Sequence, residues 1–171
     1  IVLGLLCLMA SVAAWQIGKL ADSSDYYAVN LVPSFQMEHD IAIDLGNIRR
    51  WEYRHIVSDT PSQMDEAEAK IREFQSNIAA KLDHYAKDLI SNDEDKRAVE
   101  DARTAVNAYN AEWEKLRVVS RQTAGNRAKF EEAVHMVTGP SAVAYQTAHE
   151  AVAKWWNINV TLSNQQMADA E

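Results

Sequence analysis

"MDEAEAKIREFQSNIAAKLDHYAKDL", residues 64–89, decides the fold. Met64, Ala67, Ile71, Phe74, Ile78, Leu82, Tyr85 and Leu89 follow one another at spacings of three and four. Such a stripe lies on one face of an α-helix, and its heptad rhythm suits packing against neighbouring helices. The residues between the apolar positions are almost all polar, so the other face is built for water. "TPSQ" (60–63) starts this helix: Thr60 is an N-cap, Pro61 fits the first helical position, and Gln63 completes a capping box.

The same reading extends in both directions. "SNDE" (91–94) predicts a capping box opening a third helix, with Val99, Ala102, Val106, Tyr109, Trp113 and Leu116 as its stripe. "SRQTAGN" predicts a break. A short helix from Arg127 follows, "TGPS" (138–141) interrupts it, and a last helix runs from about Ser141 to the end. Tyr145, Ala148, Val152, Trp155 and Leu162 line that helix. Upstream, the first helix reaches about Val57 with Ile41, Leu45 and Ile48 in its core stripe, and Pro33 predicts a kink within it. Only five Gly and three Pro occur in 171 residues, and no strand-like alternation is present. Short connections make sequential helices antiparallel neighbours. The expected fold is all-α: an antiparallel up-down-up-down four-helix bundle, roughly 40 Å long, its first helix continuous with an N-terminal transmembrane helix.

Residues 1–18, "IVLGLLCLMASVAAWQIG", carry no charge and just suffice to cross a hydrocarbon core of about 30 Å. Trp15 sits where an interfacial aromatic belongs. A signal peptide is the rival, since "SVAA" offers small residues for cleavage. Leu6 before Cys7 argues against a lipoprotein anchor. We expect 1–18 to be a membrane span and 19–171 the bundle, with the chain a piece of a longer membrane protein and a second span beyond Glu171. The net charge of −8 and the absence of a basic stripe exclude nucleic acid as a partner.

"NIRRWEYRH" (47–55) breaks the first helix's pattern. Continuing the heptad past Ile48 puts Glu52 and His55 in the core line. A buried carboxylate needs a partner, so these two form a polar plug that also sets helix register. Arg50 and Arg54 lie opposite Ile48, four residues apart, and can converge on an anion; as a plain alternative they form a solvated face. Arg49 and Tyr53 pair at the same spacing on a flank. Antiparallel topology brings Tyr109, Trp113 and Arg117 of the third long helix, and Tyr145, Gln146 and Thr147 of the last, to the same end. Aromatic rings, hydroxyls and arginines there suit a pocket for a small anionic organic molecule. Tyr109 and Trp113 also serve as core fillers, and Trp155 and Trp156 as packing between helices or subunits. Asn159-Val160-Thr161 matches a glycosylation sequon too short to weigh. No catalytic constellation, cofactor motif or metal-spaced cluster is present; "EYRH" has the Glu-x-x-His form of a bundle metal site but has no second copy. The chain is expected to be no enzyme, with no cofactor and no metal.

"LVPSFQMEHDIAIDLGNIRRWEYRHIV" after an apolar start, three more helices, and "GN…TGPSAVAY" at the head of the last helix resemble the four-helix-bundle sensor domain of bacterial methyl-accepting chemotaxis proteins. "IRRWEYRH" is similar to the R-R-x-E-x-x-H stretch of that family's first helix. The resemblance implies an inner-membrane receptor with a periplasmic sensor, paired as a homodimer around its first helices. It implies a ligand at the membrane-distal end, held by arginines matching Arg49, Arg50 and Arg54 and by polar groups in the region of Tyr145, Gln146 and Thr147. It implies that binding shifts the last helix along its axis. Known ligands of the family are diverse; the aromatic residues here favour an organic acid, cyclic or aromatic. The alternatives are the sensor of a histidine kinase and an adaptor that recognises a periplasmic binding protein.

Overall fold

The computed structural model describes residues 2–170; Ile1 and Glu171, the outer ends of the expected segments 1–18 and 19–171, lie outside it. Among the described residues every regular element is helical: α1 (Val2–Tyr26), a π-helical turn (Tyr27–Leu31), α2 (Val32–Ile56), α3 (Pro61–Asp88), α4 (Asp93–Ser120), α5 (Arg127–Thr138) and α6 (Pro140–Ala170). α1, the π turn and α2 run on as one helix. α2, α3, α4 and α6 form the four-helix bundle. α2 packs chiefly on α3 and α4 chiefly on α6, while α2 also meets α6 to close the ring.

The stripes become the core. On α3, Met64, Ala67, Ile71, Ile78, Leu82 and Tyr85 are buried, as is its C-cap Leu89, and Phe74 is half-buried. On α4 all six expected positions are buried, as are Ile41, Leu45 and Ile48 on α2 and Ala148, Val152 and Trp155 on α6. Tyr145 and Leu162 are only half-buried. Each fully buried Ile or Leu contributes roughly 1.5–3 kcal/mol, enough to offset polar layers elsewhere in the bundle.

Pro33 does not break the helix. Its irregularity is taken up one turn earlier, where the Val32 amide bonds the Tyr27 carbonyl, five residues back. A proline ring crowds the carbonyl four residues before it, which here is Val29, inside the widened turn. Three side chains at or next to this turn reach the rest of the bundle. The Tyr27 hydroxyl donates to the Ser163 carbonyl at 2.6 Å, Tyr26 meets Ser91 at 2.8 Å, and Asn30 donates to the Leu89 carbonyl at 2.9 Å.

Both capping boxes differ in detail. Thr60 accepts from the Gln63 amide as expected, but Gln63 reaches back to the Asp59 amide and not to that of Thr60. The α4 cap is Asn92, not Ser91: Asn92 Oδ1 accepts from the amides of Glu94 and Asp95 at 2.8 and 2.9 Å. Ser91 is instead tied to the first helix through Tyr26 and Asn30.

α1 is long and apolar enough to cross a membrane, and Leu3, Leu5, Leu6, Leu8 and Met9 on it are exposed.

Candidate functional site

Glu38, Ile41, Leu45, Ile48, Glu52 and His55 form one buried line down α2, at spacings of three and four. The helix is therefore apolar in its middle and polar at both ends of the same stripe. The expected polar plug is real: Glu52 and His55 are both fully buried.

Arg49, one turn before Glu52, supplies the partner. Its Nη1 donates to Glu52 Oε2 at 2.9 Å and to Ser141 Oγ at 2.7 Å, and Ser141 Oγ in turn donates to Glu52 at 3.2 Å. Nη2 donates to the Tyr53 hydroxyl at 3.2 Å and to the Val137 carbonyl. The guanidinium lies 4.9 Å from the Tyr53 ring and 5.7 Å from the Tyr145 ring. One arginine thus joins α2, the end of α5 and the start of α6. The loop geometry explains why: Gly139 and Pro140 turn the chain so that Ser141 opens α6 facing α2.

Burial pushes the Glu52 carboxyl up, and the Arg49 charge, with hydrogen bonds from Arg49 and Ser141 and the nearby Tyr109 hydroxyl, opposes it; the balance is about 7. Tyr109 stands beside Glu52 without meeting hydrogen-bond geometry, so its hydroxyl and Glu52 Oε1 are both buried and unpartnered. Its ring packs edge-on against Tyr145 at 5.6 Å. Arg49, Tyr53, Tyr109 and Tyr145, four of the predicted site residues, therefore come together around Glu52.

A second cluster closes the tip. His55 Nδ1 meets Ser120 Oγ at 2.7 Å and Nε2 meets Glu68 Oε1 at 3.2 Å, with the imidazole edge-on to Trp113 at 5.3 Å. Arg121 Nε donates to Glu68 Oε1 at 2.6 Å, and Arg117 and Arg72 approach Oε2 at 3.8 and 3.4 Å. Burial would raise the Glu68 carboxyl, but the hydrogen bonds from Arg121 and His55 and the charges of Arg121 and Arg117 hold it down at about 2. Burial also lowers His55 despite Glu68, with Arg121 and Arg117 adding to the effect. Trp113 and Arg117 belong to this cluster and not to the Arg49 cluster. Glu68 carries it, and its slot on the hydrophilic flank of α3's heptad gave no reason to single it out.

Arg50 and Arg54 stand apart on the outer face of α2. With Trp51 they line an open groove of about 360 Å3. Arg54 stacks 5.1 Å from the Trp51 ring and meets Glu66 at 3.9 Å, where both side chains are more than half exposed. Arg50 hydrogen-bonds Asn47, and among the described residues no carboxylate pairs with it. Gln146 and Thr147 are exposed on α6 and bond locally, Gln146 to Glu150 and Thr147 to the Val143 carbonyl.

Among the described residues no three His, Cys, Asp or Glu side chains converge as a metal site would require. A comparison with curated proteins returns no match. The family model described as "four helix bundle sensory module for signal transduction" matches residues 1–171. A bundle whose polar tip joins α2 to the start of α6, continuous with a helix able to cross a membrane, fits that description, and the chain belongs to this family of four-helix-bundle sensory modules for signal transduction.

Proposed function

We propose that the chain is the sensor of a chemoreceptor, anchored by α1 in a bacterial inner membrane, with residues 19–171 in the periplasm, that binds a small organic acid at the end of the bundle away from α1. The observation that carries the reading is the groove of Arg50, Trp51 and Arg54. Arg49 is spent on Glu52, Ser141 and Val137, whereas Arg50 and Arg54 keep their guanidinium groups toward solvent. An exposed ion pair at 3.9 Å holds Arg54 only weakly. Two arginines one turn apart suit a carboxylate, and Trp51 supplies a face for an aromatic or cyclic body. Because the groove lies on the outer face of α2, a homodimer paired around α2 would enclose it. Tyr53 and Tyr145 lie beside Arg49 and not on this groove, which Arg50, Trp51 and Arg54 line.

Signalling requires only that ligand favour one of two arrangements of the bundle. Arg49 couples the candidate groove to the head of α6, because it sits beside Arg50 on α2 and holds Ser141 on α6. A carboxylate neutralising Arg50 and Arg54 lowers the cationic repulsion on Arg49, tightens that grip and biases the position of α6.

Calorimetric titration of the full chain in lipid nanodiscs with mono-, di-, tri- and aromatic carboxylic acids tests the reading. At least one acid should bind, and Arg50→Ala or Arg54→Ala should weaken it roughly tenfold or more. Absence of binding by every acid, or indifference to both substitutions, overturns the assignment. Binding of a periplasmic protein in place of any acid would favour the adaptor.

A further inference from the structure

Glu38 follows Ser34 near the start of the buried line of α2, about 18 Å along the helix from Arg50. It is fully buried, yet among the described residues no cation pairs with it. Its one partner is Asn159 of α6, equally buried, whose Nδ2 donates to Glu38 Oε1 at 2.7 Å and to the Tyr85 hydroxyl at 2.8 Å. Tyr85 donates to Asp95 Oδ1 at 2.9 Å, and Asp95 is further held by Trp155 and by the Ser91 amide. The Tyr85, Trp155 and Asn159 donors of this layer are all used. What remains is two buried acceptors, Glu38 Oε2 and Asn159 Oδ1, with no hydrogen bond. With Glu38 ionised, these unmatched acceptors and the unpaired charge cost free energy; the carboxyl avoids that cost by keeping its proton, and a donor that brings positive charge is the alternative.

A groove of about 220 Å3 lies over this layer, between α2 and α6. Glu38 is among its lining residues with its carboxyl covered, so a ligand reaches that carboxyl only as the side chain shifts, and Ala42, Val152, Ala153 and Trp156 form apolar walls. Trp156 is part-exposed and is steadied by Phe35, ring centre to ring centre 4.8 Å. A primary ammonium offers three donors and a charge, and an indole face attracts cations. We propose that this groove is a second binding site, for a small primary ammonium compound with an apolar or aromatic body, whose ammonium group pairs with Glu38. It is separate from the arginine groove and opposite in charge preference, so the module would respond to two classes of ligand.

Proton release gives the site its own signature. Burial holds the Glu38 carboxyl up at about 8, Asn159 opposing and the Asp95 charge adding to the rise. An arriving ammonium favours the carboxylate and expels that proton. The other titratable groups around Glu38 are His39 on its own helix, Tyr85 on α3, Asp95 on α4 and His149 on α6, and they must be separated from it.

Titrate the full chain in nanodiscs at pH 6.5 with 2-phenylethylammonium, in two buffers of different ionisation enthalpy. We expect binding with release of about one proton, and binding of the neutral 2-phenylethanol roughly tenfold weaker or worse. Glu38→Gln should abolish the proton release and weaken ammonium binding about tenfold or more; His39→Ala and His149→Ala should leave the release in place. Ala153→Trp, at an exposed wall position, fills the groove and should block binding whether or not the Glu38 variant folds. Arg50→Ala should change nothing. No binding by the native chain, native-like binding in Ala153→Trp, equal affinity for amine and alcohol, or loss on Arg50→Ala overturns the proposal.

Discussion

Arg49 Nη1 lies 2.9 Å from Glu52 Oε2, and the same nitrogen reaches Ser141 on α6. This pair is what lets Glu52 carry charge in the core line, where Glu38, without a cation, keeps its proton. Removing the arginine strands Glu52 in a fully buried place, which costs about 3–5 kcal/mol when the charge cannot escape. Here the carboxyl can escape by staying protonated, so Arg49→Ala should cost toward the lower end of that range. Glu52→Gln alone should cost less. The double substitution should be milder than the two single effects added, because the neutral amide that replaces the carboxylate no longer needs the guanidinium. Thermal unfolding of the four proteins measures the coupling; strict additivity would show that the pair is incidental.

Glu38 sets a dependence on alkaline pH. Its carboxyl is held at about 8 in the fold and titrates near 4.5 when unfolded. Between those values the folded chain keeps a proton that the unfolded chain has lost. The contribution is fully present below pH 4.5 and disappears as pH rises through 8. Glu52, held at about 7, acts in the same direction over a narrower window. Glu38→Gln removes the larger share. The melting temperature of Glu38→Gln relative to the native chain should therefore climb between pH 5 and pH 8.5, on the order of 5 °C. A flat difference would mean that Glu38 is not held protonated.

Glu68 works with the opposite sign. Its carboxyl is held at about 2, after Arg121 and His55 overcome the effect of burial. The stability it contributes is present above pH 4.5 and lost as pH falls toward 2. His55, lowered by burial, adds to the acid loss because it must accept charge in the core. Glu68→Gln should be less stable than the native chain at pH 6, and the gap should narrow steadily from pH 4.5 down to pH 2. Circular dichroism melts across that range provide the comparison; a gap that stays constant would show that the ion cluster contributes nothing through charge.

The bundle is legible in the sequence because its stripes repeat with few interruptions. Positions such as Ile71, Ile78 and Val106 read as core from spacing alone, and they are core. The polar plug is legible by the same rule, since the heptad lands on Glu52 and His55. Running that heptad backward from Ile41 lands on Glu38, which hydropathy alone passes over. Asp95 and Asn159 escape notice for a related reason. Each is polar at a helix position where a cap or a sequon offers a simpler reading, and only tertiary neighbours reveal that both are buried. The division of the arginines is half legible. Angular position separates Arg50 and Arg54 from the core, but nothing in sequence could show Arg49 committed to Ser141, ninety-two residues away.

The start of α4 allows a sharp test of cap against tether. Asn92 has extended backbone and accepts from two amides, so it satisfies two of the donors that a helix start leaves open. Asp93, Glu94 and Asp95 follow in the first turn, where negative charge suits the helix dipole. Asn92→Ala should destabilise by about 1 kcal/mol, and Asn92→Asp or Asn92→Ser should restore most of it. Ser91→Ala acts elsewhere: it cuts the hydroxyl contacts with Tyr26 and Asn30 that fasten α4's approach to the helix leaving α1. Its amide bond to Asp95 Oδ2 survives, because that bond is backbone. Amide hydrogen exchange separates the two. Asn92→Ala should speed exchange in the first turn of α4, at Glu94 and Asp95, whereas Ser91→Ala should loosen the π turn around Tyr27 and leave those amides protected. The reverse pattern would restore Ser91 as the cap.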